Sequence, residues 1–378
     1  MDKNSGRIYL DLRTVTGARL FYKPERYFEV KEELTRFLED EKHLNTKAFA
    51  KKVMFSHEIK ANNQVEGYGD DIDIIRQVIK KAEKIKDEEK RKRILNLYHG
   101  YHYILKNKDI NIESLKKLYS ILSKDLIETD LLPKMGEYYR EAPVYILKRG
   151  RLDETAYQGV PYQDIERYIN MYFEFLNQEI DGDITDEYIK TQILHYYFVY
   201  IHPYFDVNGR TSRTLAMWQL LNQKAYPYII FNRGISFKDR EYDKVIEDVR
   251  KFNDLTFFIN YMLNTVKLEL EKEYTMQILA SNANSKLDAT DYQTLLYYLT
   301  MNGEKTVLDF VTLYNRFNDK KNPREIYETM IIPLLDKGLL EIVRTTQKSI
   351  SNNLPNVMLQ LKKKEDISTD KVKRLILR

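Results

Sequence analysis

The 378 residues contain no cysteine, which excludes disulfides and thiol chemistry together. Proline and glycine are scarce, at 9 and 13, so there are few breakers and the chain is expected to be mostly helical. No apolar run reaches the ~18 residues of a membrane-crossing helix, and Met1–Gly6 shows no apolar leader core. Neither sign of charge prevails. With 61 Lys+Arg against 57 Asp+Glu, the net charge of +4 demands neither nucleic acid nor a membrane as partner. These absences lead to the expectation of a soluble, cytoplasmic protein, and the length to two or three domains. The 30 tyrosines are given no functional weight.

What is present gathers in one stretch, His202-Pro203-Tyr204-Phe205-Asp206-Val207-Asn208-Gly209-Arg210-Thr211-Ser212-Arg213. Thr185 to Ile201 before it is almost uniformly apolar and aromatic, as in a helix buried on most sides. Arg213 to Asn222 after it is again helix-compatible. Pro203 stops the first helix, and Asn208-Gly209 marks a turn ahead of the second. A helix beginning near Asn208 aims its free N–H groups and positive dipole end into the loop, which favours an anion. Gly209 permits close backbone approach, while Arg210 and Arg213 bring planar donors suited to phosphate. Asp206 is a hard oxygen ligand of the kind that holds Mg²⁺ on a nucleotide. His202 is the group suited to take a proton near neutral pH. The chemistry indicated is phosphoryl or nucleotidyl transfer.

In this order the residues resemble the signature of the Fic family (filamentation induced by cyclic AMP), His-x-Phe-x-Asp/Glu-Gly-Asn-Gly-Arg-x-x-Arg. Tyr204 stands at the Phe position and Val207 at the first Gly, where a β-branched residue is ill suited to positive φ and adds bulk beside the anion cradle. The resemblance implies a mainly α protein, a Fic-type helical bundle with a small β-hairpin flap. The implied activity is transfer of AMP from Mg-ATP to a Ser, Thr or Tyr hydroxyl of a target protein, auto-modification included. His202 would be the catalytic base and Asp206 the Mg²⁺ ligand. Val207, Asn208, Gly209, Arg210, Thr211, Ser212 and Arg213 would bind the nucleotide phosphates. Relatives that transfer another group or remove AMP remain alternatives, as does a regulator whose Fic domain senses nucleotide. A metal hydrolase built on His195 and His202 lacks a clear third ligand.

Upstream, Asn62-Asn63-Gln64-Val65-Glu66-Gly67 resembles the family's inhibitory helix, Ser/Thr-x-x-x-Glu-Gly/Asn, with Asn62 in the Ser/Thr place. The resemblance implies that Glu66 pairs with Arg213 and so denies it to the γ-phosphate. Gly67 also suits a plain helix stop. Gly136 to Arg140 and Val144 to Ile146 resemble the approach to the Fic flap, with Tyr157-Gln158-Gly159-Val160-Pro161 as the flap itself. It would register the target by strand augmentation. Tyr242 is the candidate contact for the adenine, or else a core tyrosine.

Near Ser281–Ser285 the composition turns small and polar, as in a linker. Helices around 290–301, 306–315 and 323–337, then strand-like 339–345 and 355–361, describe a winged helix. From Asn284 to Arg378 there are 16 Lys+Arg and 12 Asp+Glu, a faint basic bias. The module would bind DNA or serve in docking. The expected division is 1–110, an N-terminal helical region with the inhibitory motif; 111–280, the Fic core; and 286–378, the winged helix.

Overall fold

The computed structural model describes residues 6–40, 56–127, 139–148, 151–179, 181–282, 287–301, 303–345, 354 and 357–361. A short antiparallel hairpin, β1 (Ile8–Arg13) and β2 (Arg19–Tyr22), opens the chain. Among the described residues, five helices follow: α1 (Phe28–Asp40), α2 (Ser56–Val65), α3 (Ile72–Lys81), α4 (Glu88–Lys106) and α5 (Ile112–Leu122). A second hairpin, β3 (Tyr145–Lys148) and β4 (Arg151–Gln158), leads into α6 (Ile165–Leu176). Then come α7 (Ile184–Ile201), α8 (Asn208–Asn222), α9 (Phe231–Phe237), α10 (Asp239–Phe252) and α11 (Thr256–Asn282). The mainly α fold expected from the scarcity of breakers is what the chain adopts. Among the described residues no helix is long and apolar enough to cross a membrane.

Helix α7 is the axis of the larger core, with all but a few of its residues buried. Asp183 caps it, accepting from the Thr185 and Asp186 amides while Asp186 returns the favour in a capping box. The abundant tyrosines are structural. Tyr188 donates to the Met262 carbonyl at 3.1 Å, Tyr197 to the Arg13 carbonyl at 2.9 Å, and Tyr228 shares a 2.7 Å bond with Thr185. Each buries a ring and spends its hydroxyl on a distant element, so one side chain both fills the core and ties two elements together.

The C-terminal part comprises α12 (Ala289–Met301), β5 (Lys305–Thr306) and α13 (Val307–Phe317). A helical run follows through α14 (Pro323–Ile326), a π turn at Tyr327–Ile331 and α15 (Ile332–Asp336). Strands β6 (Leu340–Thr345) and β7 (Val357–Leu361) complete an antiparallel sheet of order β5-β7-β6. Two residues of β5 are too few for alternation to be read, and the third strand was not expected. The π turn precedes Pro333, whose missing N–H breaks the regular ladder. This part has its own core, including Leu295, Tyr297, Phe310, Leu334 and Leu359. Helix α11 supplies Leu263 and Leu270 to the first core and Met276 and Leu279 to the second. The two cores therefore share one helix across residue 280.

Candidate active site

The signature loop joins the C-terminus of α7 to the N-terminus of α8 and is bracketed by two left-handed residues. His202, at φ 51° and ψ 61°, ends α7; Val207, at φ 64° and ψ 9°, opens α8. The side chain of Asn208 closes the loop between them. Its Oδ1 accepts from the Tyr204 amide at 3.0 Å and its Nδ2 donates to the Tyr204 carbonyl at 2.8 Å. Tyr204 itself is buried, stacked on Tyr119 with centroids 3.5 Å apart. The aromatic anchor survives the Phe-to-Tyr departure.

His202 Nδ1 lies 3.3 Å from the Val199 carbonyl. A carbonyl only accepts, so Nδ1 carries the proton and Nε2 keeps its lone pair. Burial, with Arg250 and Arg140 beside it, pushes the imidazole well below its ordinary pKa despite the bond to Val199. The ring is neutral near pH 7, the form that accepts a proton. Two arginines fix its surroundings: Arg140, the last residue of the flap-approach motif, and Arg250, to which no motif pointed. Arg140 donates to the carbonyls of His202 at 2.8 Å, Ala142 at 2.7 Å and Val160 at 2.5 Å. Arg250 donates to the carbonyls of Tyr200 at 2.9 Å and Gln158 at 3.2 Å, and its guanidinium lies 3.8 Å from the Tyr157 ring centroid. Together they tie the base of the β3–β4 hairpin to the end of α7 that carries His202.

The hairpin spans Tyr145 to Gln158, which corrects the expected flap. Gly159, Val160 and Pro161 lie past its second strand, and Val160 is buried under the Arg140 clamp rather than displayed. Gly159 has no room for a side chain: a Cβ there would lie 2.6 Å from Arg140 Nη2 and 3.2 Å from His202 Cβ.

Asn62 and Glu66, distant in sequence, meet Arg213 directly. Arg213 Nε and Nη2 donate to Asn62 Oδ1 at 3.0 and 2.9 Å, and Nη2 also pairs with Glu66 Oε1. A Cβ on Gly209 would run into that same carboxylate oxygen. Glu66 thus sits at the N-terminus of α8, where an anion is favoured. Gly67, at φ 90°, terminates the helix just after it. Arg213 is fully buried, and buried Arg210 has a guanidinium Nε without a hydrogen-bond partner among the described residues. Beside Glu66 opens a cleft of ≈ 280 Å³, lined also by Ile146, Tyr157, Asp243, Ile246 and Glu247.

Three expected ligand contacts are placed elsewhere. Thr211 Oγ1 donates to the Val207 carbonyl at 2.8 Å, within its own helix. Ser212 Oγ is 2.7 Å from His195 Nδ1, and His195 Nε2 is 2.7 Å from the Tyr242 hydroxyl. Tyr242 is buried in the core, and its neighbour Asp243 lines the cleft. The same chain occupies both nitrogens of His195, so the His195–His202 metal pair does not form. No cluster of three metal-ligating side chains occurs among the described residues. Asp206 is exposed, with Oδ1 accepting from the Val207 amide at 2.6 Å. One hard carboxylate beside a phosphate cradle suits a magnesium ion that completes its shell with substrate oxygens and water.

Residues 109–220 match the Fic/DOC family model. A protein of Nematostella vectensis named protein adenylyltransferase Fic is 27% identical over 205 residues, 52% of this chain and 43% of that relative, so this chain spans less than half its length. Among solved structures, a Fic family protein from Desulfovibrio desulfuricans aligns with 90% of this chain and 96% of its own, at a TM-score of 0.57 and 15% identity. Fic-1 from C. elegans aligns with 68% of this chain and 73% of its own, at 0.51 and 15% identity. The matched segment holds the whole loop from His202 to Arg213, so residues 109–220 of this chain are similar to the Fic/DOC family.

Proposed function

We propose that this chain is a protein adenylyltransferase held off by its own Glu66. The observation that carries the reading is the Glu66 carboxylate at the α8 N-terminus, paired with Arg213. The chain has placed its own anion where the cradle would receive a phosphate. While Asn62 and Glu66 occupy Arg213, that guanidinium is withheld from a nucleotide.

Once Glu66 leaves, ATP would lay its phosphates against Gly209, Arg210 and Arg213, with the adenosine in the cleft under the hairpin. Asp206 would hold Mg²⁺, which supplies charge neutralisation on the phosphates. A target segment paired with the exposed edge at Tyr145 and Leu147 would present its hydroxyl to His202. His202 Nε2 takes the hydroxyl proton as the oxygen bonds to the α-phosphorus. The bond from that phosphorus to the β-bridging oxygen breaks, and pyrophosphate departs. The C-terminal helices and three-stranded sheet are read as a winged helix.

Incubation of wild type and Glu66→Gly with Mg²⁺ and either α- or γ-³²P-labelled ATP tests the reading. Label from the α position alone, stronger in Glu66→Gly, is expected. Label from the γ position would make the enzyme a kinase.

A further inference from the structure

Helix α2, which carries Asn62 and runs directly into Glu66, is gripped by the C-terminal module. Lys60 is buried, and its ammonium donates to the Asp70 carbonyl at 2.5 Å, the Phe317 carbonyl at 3.3 Å and Asn318 Oδ1 at 2.6 Å. An ammonium has three N–H donors, so two of the three bonds end on the module, at the end of α13. Asn318 is itself held, donating from Nδ2 to the Tyr314 carbonyl at 2.6 Å and the Tyr297 hydroxyl at 3.0 Å. The turn after α2 is fixed in the same way. The Tyr314 hydroxyl donates to Asp71 Oδ1 at 2.6 Å, and Lys321 pairs with Asp71 at 3.4 Å. At the start of α2 the His57 ring meets Tyr292 of α12 edge-on, with centroids 4.7 Å apart.

We propose that the C-terminal module is the latch of the inhibitory helix: by holding Lys60 and Asp71, Tyr314 and Asn318 keep α2 where Asn62 and Glu66 occupy Arg213. The inference rests on Glu66 being the inhibitor and adds that its position is controlled from outside the catalytic domain. A ten-residue helix is too short to be stable alone, so its position is set by what it packs against. Lys60 and Asn62 are two residues apart on that helix. A shift of the end of α13 therefore reaches Arg213 through less than one helical turn. Whatever binds the module with its α13 end displaced favours the open site by the difference in its affinity for the two states.

Auto-labelling from α-³²P-ATP by the full chain tests the latch, comparing wild type, Asn318→Ala, Tyr314→Phe and Glu66→Gly. Asn318→Ala and Tyr314→Phe are each expected to raise labelling several-fold, toward the level of Glu66→Gly. Adding Asn318→Ala to Glu66→Gly should give no further rise, because the brake is already gone. Wild-type labelling in Tyr314→Phe and Asn318→Ala beside strong labelling in Glu66→Gly would overturn the latch and leave the inhibitor reading standing. Unchanged labelling in Glu66→Gly would overturn the inhibitor reading, and the latch with it. Tyr314→Phe removes one hydroxyl and nothing else, so it decides the question if Asn318→Ala does not fold.

Discussion

Val207 holds a backbone conformation that β-branched residues avoid, at φ 64°, while its side chain is buried. A non-glycine residue in the left-handed region costs about 1–2 kcal/mol, and the loop keeps it there through Thr211, whose amide and hydroxyl both bond the Val207 carbonyl. Alanine and glycine both remove the buried methyls, but only glycine relieves the backbone. Val207→Gly should therefore melt at or above Val207→Ala, although glycine usually loses about 0.5–1 kcal/mol to alanine. A Val207→Gly melting several degrees lower would mean the strain is absent. His202 gives a second test at this scale. Its pKa is depressed by burial and by Arg250 and Arg140, so the imidazole stays neutral as pH falls through 6.5. The kcat/KM of Glu66→Gly is expected to be level from about pH 5 to 8; an inflection near 6.5 would contradict the burial of the base. The signature residues were legible because adjacent side chains share one loop. Ser212, His195 and Tyr242 were not, because their hydrogen-bonded chain crosses three helices and no spacing records it.

Helix α2 carries a buried carboxyl of its own upstream of Asn62. Glu58 accepts from Asn232 Nδ2 at 3.0 Å, with Arg233 and Glu269 as its charged neighbours, and burial pushes it up to about 8. A carboxyl raised in the folded state contributes stability that is complete below its unfolded pKa, near 4.5, and is lost as pH climbs through about 8. Melting temperature should fall across that window, and Glu58→Gln should flatten the fall; an unchanged slope would sink the assignment. Lys60, lowered by burial from 10.5 to about 8, acts between those two values, above the Glu58 window, so the two effects separate. At the hairpin, Gly159→Ala would press a methyl on Arg140 and His202. Transfer by the Glu66→Gly background should drop roughly 10-fold or more, with little change in melting; full activity would show that the clamp is dispensable. Strand and helix periods revealed most elements. The flap's position eluded the sequence because Gly-Val-Pro marks a turn equally well at a hairpin's tip or its base. Only the three carbonyls converging on Arg140 decide which.

At the scale of the whole molecule, two cores share α11, and α2 lies between the signature loop and the C-terminal module. That placement was outside the reach of sequence, since it depends on bonds such as Lys60 to Asn318 across 258 residues. In the proposed reading it accounts for a chain whose base, phosphate cradle and hairpin are assembled yet restrained. On that reading every part is in place, and the Glu66 carboxylate covers them. Intact-protein mass spectrometry of Glu66→Gly, and of the same variant carrying His202→Ala, after incubation with Mg-ATP, tests this most directly. The account predicts a gain of one or more whole AMP units on Glu66→Gly and none on the double variant. A gain of phosphate alone, or equal gains on both, would contradict it.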